Sequence, residues 1–413
     1  MAILSPRDGK DIAAALGDAL AGQTTLEVRG AGTKRALGRS VEAIEILDVS
    51  LLSGVPMYEP KELVFTALPA TPLAEIEALL QGQGQQLAFE PPDYGALVGG
   101  APGKATLGGV LACNLSGPRR VRAGAARDHF LGFRAVSGRG ERFKSGGRVV
   151  KNVTGYDLSK LMAGSFGTLA VFEEVTLKVM PMPEKTRTIL LYDLDPMTAA
   201  EAMREALASS NEVSGAAYLP PCVALRSAVD FVAGGGRSVT ALRVEGHGPS
   251  VLHRAVRLHK LAARFGKTEA LHGARSAIFW REVRDVDYFA KAAEEKGKED
   301  VVWRLSLPPS AATGAVETIL SQAAGEAFQD WGGGLVWLRL KASGPGGAFA
   351  SLVHKTAIDA GGHALLVRAP EETRKRVPVF SPLPEAVLRL TEGLKQAFDP
   401  LRILNPGRMY MGI

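Results

Sequence analysis

Residues 99–184 decide the fold. They contain GGAPGKATLGGVLACNLSGPRRVRAGAARDHFLGFRAV, a short hairpin, and GGRVVKNVTGYDLSKLMAGSFGTLAVFEEVTLKVMPMPE. Glycine recurs there in small clusters beside Thr, Ser or Asn, and glycine permits close backbone approach and positive φ. Amide N–H groups in such turns can gather around an anion. Four clusters in order, with Asn114, Asn152, Thr154 and Thr168 as side-chain donors, predict a long phosphorylated ligand that lies across several loops.

The pattern begins before this stretch. The first segment, residues 27–38, reads EVRGAGTKRALG, and it is followed by residues 106–117, 122–128 and 151–168. In their order and amino-acid sequence, the segments resemble the FAD-binding domain of the vanillyl-alcohol-oxidase (PCMH-type) superfamily. SGPRR and KNVTGYDLSKLMAGS are most similar to the E-type, FAD-binding subunits of bacterial glycolate oxidases.

The resemblance implies an α+β fold. A PCMH-type FAD-binding domain of two subdomains is expected at residues 1–183, and an α+β cap with ferredoxin-like units at residues 184–383. A C-terminal helix and tail, residues 384–413, would return to the FAD domain, near the isoalloxazine ring.

The resemblance also assigns cofactor contacts, residue by residue, to the glycine segments and the tail. These are Arg29, Gly30, Ala31, Gly32, Thr33, Lys34, Thr106, Gly108, Gly109, Asn114, Gly117, Arg122, Gly124, Arg127, Gly155, Gly164, Gly167, Thr168 and Asn405. Tyr156 and Asp157 are expected to shape their loop.

Histidine is missing where relatives would use it. Some superfamily members attach FAD through a histidine in the first glycine loop, and residues 30–38 contain none, so FAD is expected to bind non-covalently. Related 2-hydroxy-acid dehydrogenases carry an H-x-G-D-G-N-x-H motif in the cap, which is also absent. A substrate alcohol needs a base as hydride leaves, so the usual base is missing or replaced and the catalytic residues are unknown.

The function implied is that of an FAD-binding subunit of a multi-subunit glycolate (2-hydroxy-acid) oxidase. Its partners would be a catalytic D-type flavoprotein paralogue and an iron–sulfur F-type subunit. Two alternatives stay open: a stand-alone FAD-linked dehydrogenase of another hydroxy acid, and a non-catalytic assembly paralogue. The substrate, the stoichiometry and the flavin potential are not readable from the sequence.

Composition narrows the class of protein. The 413 residues are enough for two domains, and no apolar run reaches the length of about 18 residues that suggests a membrane span. Cys113 and Cys222 are the two cysteines, too few for the roughly four ligands of an iron–sulfur cluster. The net charge of +6 is that of a moderately basic soluble protein. A cytoplasmic location is expected, with peripheral membrane association through the complex as an option.

Other candidate sites are weaker. Residues 99–106 fail as a phosphate loop, because Val98 and Ala105 stand where glycine and Ser/Thr are required. The seven histidines show no metal-ligand spacing, so no metal is expected. Cys113 is predicted to be a buried, inert thiol. The cluster Arg119, Arg120 and Arg122 is interpreted either as a contact for pyrophosphate or an acidic partner, or as a solvated loop.

Periodicity predicts the regular elements. Helices are expected at residues 11–20, 73–80, 197–209, 251–265, 311–323, 349–360 and 383–398. Strands are expected at residues 26–28, 43–49, 62–68, 86–89, 130–136, 141–144, 169–179, 188–192, 239–245, 301–307, 335–340 and 364–368. The two prolines in Met180-Pro181-Met182-Pro183 predict a domain boundary.

Overall fold

The chain passes back and forth between two compact units. The structure, a computed structural model, describes residues 2–147, 155–292, 300–341 and 349–413. Unit 1 comprises Met1–Leu115, Gly124–Pro181 and Pro382–Ile413, and unit 2 comprises Ser116–Ala123 and Met182–Ser381. The chain therefore crosses from one unit to the other four times. The domain limits at residues 183 and 383 stay predictions.

The described strands range from two to nine residues in length. They are β1 (Ile3–Leu4), β2 (Leu26–Arg29), β3 (Glu45–Asp48), β4 (Met57–Glu59), β5 (Val64–Ala67), β6 (Gln85–Gln86), β7 (Phe130–Ser137), β8 (Arg142–Gly146), β9 (Ala170–Lys178), β10 (Met180–Pro181), β11 (Lys185–Tyr192), β12 (Gly215–Leu219), β13 (Val239–Gly246), β14 (Thr268–His272), β15 (Val301–Ser306), β16 (Gly325–Asp330), β17 (Leu335–Leu340) and β18 (His363–Arg368).

The described α-helices are α1 (Gly9–Gly22), α2 (Leu73–Gln81), α3 (Leu107–Ala112), α4 (Arg120–Ala123), α5 (Ala126–His129), α6 (Leu158–Met162), α7 (Pro196–Ala208), α8 (Pro221–Ala224), α9 (Asp230–Ala233), α10 (Gly248–Ala262), α11 (Gly273–Asp285), α12 (Asp287–Ala292), α13 (Pro309–Leu320), α14 (Ala350–Asp359), α15 (Glu371–Arg376) and α16 (Glu385–Phe398). Across the described ranges, none of them combines the length and the apolarity that a membrane crossing requires.

The three-stranded sheet of unit 1 is parallel, in the order β1-β3-β2. Helix α1 packs on it because Ile12 and Leu16 lie four residues apart on one face, and both are fully buried. The C-terminal segment extends this sheet: the Leu26 N–H donates to the Ile403 carbonyl, and the Asn405 N–H donates to the Leu26 carbonyl. The last residues of the chain are thus part of the first layer of unit 1.

The second sheet of unit 1 is antiparallel, in the order β4-β5-β9-β7-β8. The predicted hairpin at residues 130–144 is confirmed by the pairing of β7 with β8. Phenylalanines 130, 133 and 172 pack as neighbouring rings with centroids 5.7–5.8 Å apart. Strand β9 runs through this core, and its first residues reach the edge of the site described below.

Unit 2 contains the same motif twice. Strand order in its sheet is β14-β11-β13-β12-β16-β17-β15-β18, and the neighbouring pairs are antiparallel. Along the chain, each half has the order strand–helix–strand–strand–helix–strand. In the sheet, the fourth and third strands of each half flank its first strand, which is the ferredoxin-like arrangement. The halves join where Tyr218 in β12 pairs with Gln329 in β16. The prediction of an α+β cap with ferredoxin-like units is confirmed.

Several elements were not predicted. Strands β12, β14 and β16 were not predicted because they lack a run of β-branched residues. Their sequences are GAAYL, TEALH and GEAFQD. In β16 the buried Glu326 is tolerated because Arg226 and Arg339 pair with it. The strand predicted at residues 86–89 is wrong beyond Gln86, since residues 87–90 form a turn closed by the Glu90 N–H and the Leu87 carbonyl.

Candidate functional site

The first wall of the site is the loop after β2. Gly32 has φ +70°, a conformation that costs a non-glycine residue about 1–2 kcal/mol. An added Cβ there would meet nothing within 4 Å, so the loop faces open space. Within the described chain no acceptor is recorded for the N–H groups of Ala31, Gly32 and Thr33. Such a turn can receive an anion.

The second wall is formed by α3 and the residue before it. The Thr106 hydroxyl caps α3 by accepting from the Gly109 N–H at 3.4 Å. The Gly108 N–H donates to the Pro69 carbonyl, and a Cβ on Gly108 would lie 2.7 Å from the Pro69 Cβ. Gly108 is therefore required for packing against Pro69. A Cβ on Gly109 would instead meet the Lys34 side chain at 3.4 Å.

The third wall joins the loop before β9 to the C-terminal segment. Asn405 links them: its Oδ1 accepts from the Val28 N–H at 2.8 Å, and its Nδ2 donates to the Phe166 carbonyl at 2.9 Å. Arg408 lies beside the first loop and donates to the Lys34 carbonyl at 2.7 Å. A strand and a loop that are distant in sequence are thereby held together by the C-terminal segment.

These walls enclose an open cavity of about 890 Å³, a volume that includes space open to solvent. Eleven of the predicted cofactor residues line it: Arg29, Gly30, Ala31, Gly32, Thr33, Lys34, Thr106, Gly108, Gly109, Gly167 and Asn405.

Comparison with known proteins identifies the family. A family model described as an FAD binding domain matches residues 1–146. The chain is 35% identical to the glycolate oxidase subunit GlcE of Escherichia coli. The alignment spans 395 residues, which are 95% of this chain and 94% of that protein. The chain belongs to the GlcE family. It binds FAD and is an FAD-linked oxidoreductase by family.

Other relatives match shorter parts of this GlcE-family chain. The glycolate oxidase subunit GlcD of Bacillus subtilis is 27% identical over 50% of this chain and 43% of that protein. The D-lactate dehydrogenase of Anaerostipes hadrus is 39% identical over 27% of this chain and 22% of that protein. A solved structure of alkyldihydroxyacetonephosphate synthase shares the fold, with a TM-score of 0.70 at 15% identity over 98% of this chain and 75% of that one.

The cavity of this GlcE-family chain fits FAD in two respects. Open N–H groups at residues 31–33 and the Lys34 amine would hold the anionic pyrophosphate. Ala112, Phe166, Ala170, Val171 and Phe172 provide the apolar part of the lining, which a flavin ring system needs. Sequence reasoning did not select these residues, because an apolar residue is expected in the core whether or not it borders a cavity.

Charge in the cavity is mainly positive. Its lining carries Arg29, Lys34, Arg35 and Arg408 against one carboxylate, Glu27. Glu27 is buried and paired in a bidentate manner with Arg35, at 2.8 and 2.9 Å. Burial lowers the pKa of Lys34, while Cys113 and Asp93 oppose that shift. An anion placed beside Lys34 would favour its charged form.

Cys113 borders the cavity, which sequence reasoning did not foresee. It follows α3 as the C-terminal cap and is half-buried. Burial raises the pKa of its thiol to about 11, against smaller opposing effects of Lys34 and Arg408. The thiol is therefore protonated at neutral pH, consistent with the expected inert character.

The remaining predicted cofactor residues lie outside this lining. In unit 1, Asn114 accepts from the Arg127 N–H, Gly124 adopts φ +87° beside Asp128, and the Thr168 hydroxyl donates to the Ser165 carbonyl. Gly155 and Gly164 also have positive φ. Residues 151–154, including the donors Asn152 and Thr154, lie outside the described residues.

Gly117 and Arg122 belong to unit 2, where the predicted arginine cluster has partners. Arg119 pairs with Glu245 at 2.5 Å, and Arg122 pairs with Glu212 at 2.5 Å. Arg120 lies over the Trp331 ring at 4.3 Å, and the Trp331 indole donates to the Gly117 carbonyl. The SGPRR segment is thus anchored within unit 2 by ion pairs and an aromatic contact.

Two further expectations concern charged residues. His253 and His259, interpreted from the sequence as solvated or structural, are both exposed on α10. Within residues 99–106, Gly103 adopts φ +76° and its N–H donates to the Asp93 carboxylate. In the part of the chain that the structure describes, no cluster of three or more metal-ligating side chains occurs.

Proposed function

We propose that this chain is the E-type subunit of a multi-subunit glycolate (2-hydroxy-acid) oxidase. In this role it handles electrons beside a D-type flavoprotein and passes them to an iron–sulfur subunit. The observation that carries the proposal is the similarity to GlcE over 95% of the chain, whereas the GlcD and D-lactate dehydrogenase relatives match half of it or less.

The chemistry of the described cavity supports a division of labour. FAD, when bound, supplies the electron acceptor for hydride. Oxidation of an alcohol also needs a base for the hydroxyl proton. The described lining contains no histidine, and its one carboxylate, Glu27, is held by Arg35. A partner with its own base would therefore carry out the oxidation.

Two further parts of the proposal follow from composition. Two cysteines in the whole sequence leave the cluster to another subunit, and a cytoplasmic location, at the inner face of the cell membrane when the complex assembles there, suits that partner. FAD is held non-covalently, since the described lining contains neither histidine nor tyrosine, and the pKa of its one cysteine thiol, Cys113, is raised to about 11. Acid precipitation is expected to release all the flavin into the supernatant, and flavin retained by the denatured chain would contradict non-covalent binding.

The decisive experiment is anaerobic stopped-flow reduction of the FAD-loaded chain. Glycolate or D-lactate should bleach the flavin slowly or not at all, because an absent base lowers the rate by about 10²–10⁴-fold. Dithionite provides the control that the flavin is reducible. Addition of a GlcD-type flavoprotein and an iron–sulfur subunit should restore turnover. Rapid, stoichiometric bleaching of the isolated chain by glycolate would support a stand-alone dehydrogenase and refute the subunit role.

A further inference from the structure

The C-terminal segment, residues 399–413, holds two walls of the cavity together through one side chain. Asn405 bonds the Val28 N–H, at the end of β2, and the Phe166 carbonyl, in the loop before β9. Val28 and Phe166 both line the cavity. The amide of Asn405 uses its oxygen on one wall and its nitrogen on the other, whereas an ionised carboxylate could only accept.

A second set of contacts fixes the start of the same segment. Lys395 is fully buried and donates to Asp399 Oδ2 at 2.8 Å and to the carbonyls of Thr168 and Leu404 at 2.8 and 3.1 Å. Asp399 in turn accepts from the N–H groups of Ile403 and Leu404. The buried pair thus shapes the turn that delivers Asn405.

Three glycines provide the space for three side chains of the segment. A Cβ on Gly138 would lie 2.4 Å from Asp399 Oδ1, one on Gly167 2.8 Å from Asn405 Nδ2, and one on Gly38 3.2 Å from Arg408 Nε. Gly38 and Gly167 belong to the segments that suggested a cofactor site. Part of their glycine requirement therefore comes from the C-terminal segment.

We infer that Asn405 is a positioning residue and that docking of the C-terminal segment is coupled to FAD binding. The segment sets the separation of β2 and the Phe166 loop, so FAD binds the docked form more tightly. Coupling is reciprocal, so FAD must in turn hold the segment in place. The inference needs FAD binding alone and does not depend on the proposed role in glycolate oxidation.

Two substitutions separate positioning from general structure. Asn405 has φ +43°, which glycine tolerates and aspartate adopts more readily than most residues. Asn405→Gly removes both bonds and should weaken FAD binding to the purified apo chain about 10- to 100-fold, the value of two hydrogen bonds. Gln396→Ala, an exposed position in α16, is the control and should leave the FAD Kd unchanged.

Asn405→Asp supplies the readout that a purely structural role would not give. Its carboxylate can accept from Val28 but faces the Phe166 carbonyl, whereas the protonated acid can bond both. The FAD Kd of Asn405→Asp, relative to the unaltered chain, should improve about tenfold or more between pH 8 and pH 5, and Asn405→Gly should show no such recovery.

Hydrogen exchange tests the reciprocal effect without any catalytic assay. Saturating FAD should slow amide exchange in residues 399–413 of the unaltered chain. The factor of slowing should be at least as large as the factor by which Asn405→Gly weakens FAD binding. The inference is wrong if the FAD Kd of Asn405→Gly lies within twofold of that of the unaltered chain. It is also wrong if FAD does not change the amide exchange rates of residues 399–413. A flat pH profile for Asn405→Asp would equally overturn the assigned bridge.

Discussion

Gly32 shows how one residue can be required for a ligand rather than for the fold. Its φ is +70°, and an added Cβ would contact no protein atom within 4 Å. Gly84 has φ +63° and is equally open, but it lies in the turn between α2 and β6. Alanine at either position should cost the same backbone strain, about 1–2 kcal/mol, while Gly32→Ala also places a methyl group in the cavity.

We therefore expect Gly32→Ala to weaken FAD binding at least tenfold and Gly84→Ala to leave it unchanged. Fluorescence titration of the apo chain with FAD gives both constants, and urea unfolding gives the two stabilities. Equal FAD affinities would mean that the first loop does not approach the cofactor. The same comparison is unsuited to Gly108, because a side chain there would displace Pro69 and disturb the fold.

The second residue-scale prediction concerns thiol reactivity. The thiolate is the reactive form, and the Cys113 pKa of about 11 against an ordinary 9.0 lowers its thiolate fraction near pH 8 about 100-fold. A disulfide reagent should modify Cys222, which is exposed, much faster than Cys113. Cys222→Ser should then leave a chain that reacts about 100-fold more slowly than a free thiol. Fast labelling of that variant at pH 8 would contradict the raised pKa.

At the scale of elements, the chain contains a buried and an exposed version of the same ion pair. Lys395–Asp399 and Lys355–Asp359 are both spaced i,i+4, but the first pair is buried and the second exposed. Burial lowers the pKa of Lys395, and Asp399 opposes that shift. Removing one partner of a buried pair costs about 3–5 kcal/mol, whereas an exposed helical pair contributes about 0.3–0.5 kcal/mol.

Lys395→Met should accordingly lower the free energy of unfolding by about 3–5 kcal/mol, and Lys355→Met by less than about 0.5 kcal/mol. Urea denaturation followed by circular dichroism measures both. The difference arises because Lys395→Met also leaves the Thr168 and Leu404 carbonyls without a donor. A loss below about 1 kcal/mol for Lys395→Met would show that the C-terminal turn is held by other contacts.

The sequence predicted elements well where one local pattern dominates. The hairpin around residues 137–140 and the helices α7, α10, α13 and α14 of unit 2 were found because turn glycines and helical periodicity are local signals, whereas α11 was not predicted. Strands β12 and β16 were missed because their stability comes from pairing with strands far along the chain, and from Arg226 and Arg339 beside Glu326.

Site residues were likewise predicted where a local motif marks them and missed where their position depends on long-range contacts. The residues of the first glycine loop, predicted as cofactor contacts from a local motif, line the cavity, and their contact with FAD stays a prediction. Arg408 and the apolar lining were missed, since their place in the cavity depends on how the tail and β9 meet the loop. The predicted cofactor residues outside the lining, such as Asn114 and Gly124, stay predictions.

On the scale of the whole molecule, FAD should stabilise one unit selectively. All the residues that line the cavity belong to unit 1, and each unit has a hydrophobic core of its own. Calorimetry should resolve two transitions, with FAD at about 100 times its Kd adding about 2.7 kcal/mol to one of them. Hydrogen exchange assigns the shifted transition to unit 1. A single transition that moves as a whole would show that the units unfold together.

The division of unit 1 into separated segments has a consequence for biosynthesis. A ribosome makes residues 124–181, then the whole of residues 182–381, and only afterwards the segment that carries Lys395, Asn405 and Arg408. At about 5–20 residues per second, the first sheet, whose last strand ends at Asp48, waits on the order of tens of seconds for the C-terminal segment that bonds Leu26. During that interval the FAD cavity of the nascent chain lacks the wall that the C-terminal segment provides. A chaperone that shields β2 would act on the nascent chain at this stage.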